Sequence, residues 1–347
     1  MTFLSAAHAV MPGCVPGIYA VASCRSWMAG KSPAMTMVKA ILVTSFLAAP
    51  AIADEAFIVS QPAEMLSVID LDTDKVVATL PIPGKPAGIA VSPDGRRAFV
   101  TSPDAHALTI VDAARRSIAR RVDVGGGPLG VAVHPSGSPA YVADWYKHRI
   151  VVVDAESGAV TGSVQVGDLP SGLAVTPDGA LLVTADRDSD AVSLVDTKTL
   201  ARVAQIKVGQ RPFGVTIDAA GARAYTANVA SNDVSVIDLT TRAVIATVKV
   251  GERPYAVALA GGKAFVTDQY EGTISVFDVG TLAPVAKIPV GEYPEGIAAS
   301  RDGKKVYVAN WETNTVSVID VATLKVTADI EVADGPRAFG AFIRRTD

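Results

Sequence analysis

The chain has 347 residues, 49% of them hydrophobic and 19% charged, with 29 glycines and 21 prolines; this excludes a disordered composition and leaves ample apolar material for a large core. Net charge is −4, but the first 53 residues hold three basic groups (Arg25, Lys31, Lys39) and no acidic ones, so the remaining 28 basic and 35 acidic residues leave the body at −7. No global electrostatic pull toward nucleic acid or anionic membranes follows from such a balance, and polyanion binding would need a local patch.

In chain order, the first feature is an address. From Met35 the sequence MTMVKAILVTSFLAAPAIADEAF sets one lysine before an apolar run, Ala40 to Leu47, and ends it on Ala51-Ile52-Ala53, the pattern of a signal peptide with its cleavage site. We therefore expect a start at Met35 or Met37, residues 1–53 as extension plus signal peptide, cleavage after Ala53, and residues 54–347 as one exported domain, periplasmic or secreted and monomeric. The run is too short to span a bilayer, and no later stretch offers about 18 uninterrupted apolar residues. Both cysteines, Cys14 and Cys24, precede the mature part, so disulfides cannot staple it. No Cys-x-x-Cys-His occurs, which excludes covalent c-type haem.

Beyond the leader the sequence repeats. The aspartates closing each V-I-D-like run are Asp70, Asp112, Asp154, Asp196, Asp238, Asp278 and Asp320, spaced 42, 42, 42, 42, 40 and 42 residues apart. The prolines Pro86, Pro128, Pro170, Pro212, Pro254, Pro294 and Pro336 keep the same intervals. One period, 212–251, holds four short runs rich in Val, Ile, Thr and Tyr between Gly, Asn, Asp and Thr turn signals, and helical spacing fits none of them. Four strands in about 42 residues predict a propeller blade, and seven copies predict an all-β, seven-bladed β-propeller of four-stranded antiparallel blades. The interval of 40 has a local source: LAGGKAFV (259–266) has a shorter first hairpin than VSPDGRRAFV (91–100). The mature chain opens on a second-strand sequence, AFIVS (56–60), and ends on AFGAFIRR after Pro336, in the register of an innermost strand. The C-terminus should therefore complete the first blade and close the ring.

The runs YVAN (307–310), YVAD (141–144), YTAN (225–228) and FVTD (265–268), with the V-S-V-I-D and V-G-x-x-P elements, resemble the YVTN family of β-propeller repeats over residues 56 to 343. The resemblance implies the fold and assigns no chemistry, because the repeated letters are the ones that build blades.

The repeated polar residues read as structural. Six of the seven blade aspartates have Thr or Ser three residues on, Arg115 being the exception, which is turn chemistry. Aromatics of the second strand (Phe57, Phe99, Tyr141, Tyr225, Phe265, Tyr307, with Val183 the departure) should pack between blades. Ser60, Ser102, Asp144, Asp186, Asn228, Asp268 and Asn310 should cap loops rather than ring a metal, and no metal or cofactor is expected.

Function is sought where the repeat breaks. In the propeller architecture this pattern resembles, the links between blades and the loops joining second to third strands emerge at one mouth of the channel, and there the consensus relaxes. Aromatic candidates are Trp145, Tyr146, Phe213, Tyr255, Tyr293 and Trp311; basic ones are Lys85, Arg187, Arg211, Arg253 and Arg337, with His148 and Glu295 beside them. An Arg fork beside an aromatic face suits a carboxylate, a phosphate or a planar ring. The expectation is a binding protein for a small anionic ligand or a protein partner. The alternatives are a lactonase-like hydrolase or lyase using Glu295 or His148, and an accessory subunit of an exported quinoprotein or cytochrome system. No His-x-x-x-His, G-x-S-x-G or Walker sequence occurs. Single-stranded nucleic acid could stack on Trp and Arg, but export and net charge oppose it.

Overall fold

The computed structural model describes residues 54–344; the expected leader, both cysteines and the cleavage point after Ala53 lie outside the described residues. Seven four-stranded antiparallel sheets follow one another along the chain. Blade five shows the plan: Pro212–Ile217 innermost, then Arg223–Asn228 and Asp233–Asp238, with Ala243–Lys249 outermost. The second and third strands, covered by neighbours on both faces, are buried almost throughout, whereas outermost strands alternate toward solvent. Between third and fourth strands a register shift recurs in every blade, at Val236/Ile237 in blade five. An extra residue there increases local twist, which suits a blade turning from axis to rim. Among the described residues no helix is long and apolar enough to cross a membrane.

Blade one is completed as the sequence predicts. Ile343–Arg344 pairs antiparallel with Glu55–Ser60, and the sheet continues through Met65–Asp70 to Lys75–Pro81. The closing seam is also ionic. Arg344 Nη1 donates to Glu55 Oε2 at 2.7 Å and its Nε to the Gly95 carbonyl at 2.7 Å, while Arg116 reaches the other Glu55 oxygen at 2.6 Å.

The core is divided among blade interfaces. Separate clusters join blades two and three, three and four, four and five, five and six, and six and seven, and one larger cluster joins blade one to blades seven and two. The second-strand aromatics sit in these clusters, Phe57, Phe99, Phe265 and Tyr307 without exposed surface, because no blade can bury both of its faces alone. Innermost strands approach so closely that Gly130 has no room for a side chain: a Cβ there would stand 1.9 Å from the Ser171 carbonyl oxygen.

The blade aspartates do the turn work expected of them. Asp238 Oδ1 accepts from the Thr241 N–H at 2.7 Å and its hydroxyl at 3.0 Å, a geometry repeated at Asp70, Asp196, Asp278 and Asp320. At the exception, Arg115 supplies its backbone N–H and guanidinium to Asp112 instead.

Candidate functional site

Two registers of the repeat build the channel mouth. One is the residue after each link proline: Ala87, Leu129, Ser171, Phe213, Tyr255, Glu295 and Arg337. The other follows the last polar residue of each second strand: Gln61, Pro103, Trp145, Arg187, Val229, Gln269 and Trp311. The polar residues beneath tie loop to link. Asp268 accepts from the Gly251 N–H at 2.9 Å and the Ser275 hydroxyl at 2.7 Å, and Asp144 from the Gly127 N–H at 3.2 Å and Arg149 Nε at 3.0 Å. These residues are loop fasteners at 0–1% exposure.

A second set of fasteners precedes the third strands, where Glu64, His106, His148, Asp190, Asn232 and Asn314 all take left-handed backbone angles. Short polar side chains tolerate that conformation best. His106 Nδ1 donates to the Gly126 carbonyl, and the other side chains accept N–H groups of the next link: Glu64 from Lys85 (3.2 Å), His148 Nδ1 from Leu169 (3.1 Å), Asp190 from Arg211 (2.9 Å), Asn232 from Arg253 (2.9 Å) and Asn314 from Gly335 (2.8 Å). His148 therefore does for its link what Asp and Asn do for others, and its Nδ1 is committed as an acceptor.

On the axis lies a cavity of about 310 Å³ whose walls include Trp145, Tyr146, Arg187, Phe213, Arg253, Tyr255 and Arg337, with Pro103, Gly127, Leu129 and Val229 between them. Its floor is an aromatic plug. Phe213 packs on Tyr255 (centroids 4.2 Å apart) and on Phe339 (4.7 Å), and Trp145 meets Phe213 edge-on at 6.5 Å. Phe339 also faces the wider channel space of about 680 Å³ lined by the innermost strands, so the plug separates mouth from channel. Tyr146 lies across Gly127, where a Cβ would stand 2.6 Å from the ring.

Each cavity arginine is stacked on an aromatic: Arg187 over Trp145 (5.6 Å), Arg253 over Tyr270 (4.7 Å) and Arg337 over Trp311 (5.4 Å). Arg337 is gripped by Glu295 (2.8 Å), Gln61 (3.1 Å) and the Tyr255 hydroxyl (3.2 Å). Glu295 also accepts from Gln269 Nε2 at 2.7 Å. Burial pushes the Glu295 carboxyl up against the pull of Arg337. Burial, followed by the charge of Glu295, likewise raises the Tyr255 phenol.

Six sequence candidates do not line the cavity. Trp311 and Glu295 support Arg337 from behind. Tyr293 pairs edge-on with Tyr270 at 5.7 Å, Lys85 Nζ donates to the Pro62 carbonyl, Arg211 is exposed, and His148 is a cap. Sequence reasoning missed Pro103, Gly127, Leu129, Val229 and Phe339. The first, third and fourth occupy the two mouth registers but carry no aromatic or charge to draw attention.

The model of the YNCE-like β-propeller family matches residues 17–136 and 248–343. The chain belongs to the YNCE-like β-propeller family. No curated protein matches this YNCE-like propeller, but solved structures share its fold. Kuenenia stuttgartiensis hydrazine synthase is 22% identical with a TM-score of 0.68, over 74% of this chain and 89% of that one. A functionally unknown protein from Desulfotomaculum acetoxidans is 16% identical with a TM-score of 0.75, over 85% and 100%. The dihydro-heme d1 dehydrogenase NirN, solved in complex with DHE, is 18% identical with a TM-score of 0.65; the match covers 83% of this chain and 65% of NirN. At these identities the likeness extends to fold alone.

Proposed function

We propose that this YNCE-like propeller is an exported binding protein whose mouth captures a small anionic ligand. The observation that carries the reading is the cavity itself: three arginines and four aromatic rings converge on the axis, and no carboxylate among the described residues lines the space. Its volume, about 310 Å³, falls at the small end of ligand pockets. Export rests on the leader pattern of residues 35–53. The plug and its supporting hydrogen bonds make the walls preorganised, which lowers the cost of binding.

Against a hydrolase or lyase stand the duties of its two candidate residues: Glu295 is 5% exposed and held by Arg337 and Gln269, and His148 caps a link. An accessory role in an exported redox assembly draws support only from the fold shared with hydrazine synthase and NirN.

Native mass spectrometry of protein recovered from its own periplasm separates the readings. The proposal expects a mature chain beginning at Asp54 that carries a small molecule, lost in Trp145→Ala. A protein partner retained in place of a small molecule would favour the accessory role. Retention of the chain in the cytosol, unprocessed, would remove the exported part of the proposal.

A further inference from the structure

Resting on that reading, we infer that the mouth selects a monocarboxylate with a planar aromatic body, and that Arg253 is its anchor. The three cavity arginines differ in what already holds them. Arg187 is paired with Asp188 at 2.9 Å. Arg337 is neutralised by Glu295 and its remaining donors reach Gln61 and Tyr255. Arg253 has no carboxylate within ion-pair distance among the described residues; its Nη1 donates to the Tyr270 hydroxyl at 2.9 Å and its Nε has no partner. The guanidinium is nonetheless held in place, stacked 4.7 Å from the Tyr270 ring centroid, with its backbone N–H on Asn232 Oδ1 at 2.9 Å.

Nη1 spends one donor on Tyr270 and Nε is sealed from solvent, which leaves Nη2 as the donor facing the cavity. A carboxylate takes such a donor with a charge-assisted hydrogen bond. One uncompensated cation balances one negative charge. A second ligand charge in this partly enclosed space would find each remaining arginine already paired, and desolvating it would go unrewarded.

The rest of the lining selects the body of the ligand. Trp145 and Tyr146 form walls, and Phe213 and Tyr255, 5% and 7% exposed, form a floor. The Tyr255 hydroxyl is taken by Arg337, so the floor offers ring faces rather than polar groups. Such a surface rewards a flat, apolar ligand body.

Calorimetric titration of the full chain with 2-naphthoate tests the inference, using methyl 2-naphthoate and naphthalene-2,6-dicarboxylate as neutral and doubly charged counterparts. We expect the monoanion to bind tightest and the ester not to bind measurably. Arg253→Gln should weaken 2-naphthoate about 10- to 100-fold, Arg253→Lys by an intermediate factor, and Arg211→Gln, outside the cavity, by less than about twofold. Thermal unfolding of each variant checks that the propeller remains intact. Naphthoate binding indifferent to Arg253→Gln overturns the inference. Preference for the dicarboxylate overturns the ligand class while leaving the anion-binding mouth standing. If none of the three binds and phosphate and citrate also fail, both the inference and the mouth reading fall.

Discussion

Asp186 shows how a repeated residue can be tuned by one atom. It is fully buried, accepts from Thr184 and Ser193 hydroxyls, and burial lifts its carboxyl to about 6. At the repeat-equivalent positions Asn228 and Asn310 the bond is reversed, Nδ2 donating to the Ser235 and Ser317 hydroxyls without a charge. With a folded pKa of about 6 against 3.8 for the free residue, the native state binds more protons between these values. Stability from this group is therefore full below about pH 4 and lost as pH rises through about 6. Asp186→Asn should remove that slope and raise stability at pH 7 by about 1–3 kcal/mol, measured by denaturant unfolding across pH 4–8. The blade-turn aspartates run the other way. Backbone and side-chain donors of Thr241, Thr199 and Thr323 hold Asp238, Asp196 and Asp320 below the usual carboxylate range, so their contribution is present at neutral pH and lost on acidification. In the Asp186→Asn variant the acid limb of the unfolding profile should persist, since these turns remain. The turn role of Asp238 could be read from spacing, because an aspartate repeated seven times, six of them with Thr or Ser three residues later, answers to local backbone chemistry. The raised pKa of Asp186 could not, because burial depends on what neighbouring blades lay over it.

Among the elements, the short closing strand matters most. A sheet edge left open on blade one would expose unpaired backbone groups and the aromatic Phe342, which is fully buried in the ring. Deleting residues 341–347 should turn one cooperative unfolding transition into a broader one of lower midpoint, observable by calorimetry. Arg344→Ala leaves Glu55, 3% exposed, with Arg116 alone, and should cost about 2–4 kcal/mol. Gly130→Val should cost about 3 kcal/mol, because the Ser171 carbonyl that would meet its Cβ belongs to the next blade's backbone and cannot move alone. Closure was legible in the sequence: AFIVS lacked an inner partner and AFGAFIRR lacked an outer one. The Glu55–Arg344 pair was not, since the two residues are joined only when the ring comes round.

For the whole molecule, the question is how a symmetric wheel acquires an asymmetric mouth. Residues at equivalent places in successive blades face one axis, so four side chains from each of two registers line the cavity, and their differences become a surface. Trp145, Arg187, Phe213, Arg253, Tyr255 and Arg337 were recognisable as candidates because departures from a consensus are visible in aligned repeats. Trp145→Ala should enlarge the cavity and remove the ring beneath Arg187, weakening any mouth ligand about tenfold or more, measured by the same titration. Lys85, Arg211 and Tyr293 looked equivalent in the sequence. Their backbones at the link are left-handed like that of Arg253, but their side chains do not face the cavity. The number of blades, the register and the closing strand follow from the order of residues alone, because periodic apolar patterning and turn residues act within one blade or between neighbours. The pairing of Arg337 with Glu295 and the packing of Phe213 on Phe339 come only with the closed ring, because those contacts join residues of different blades.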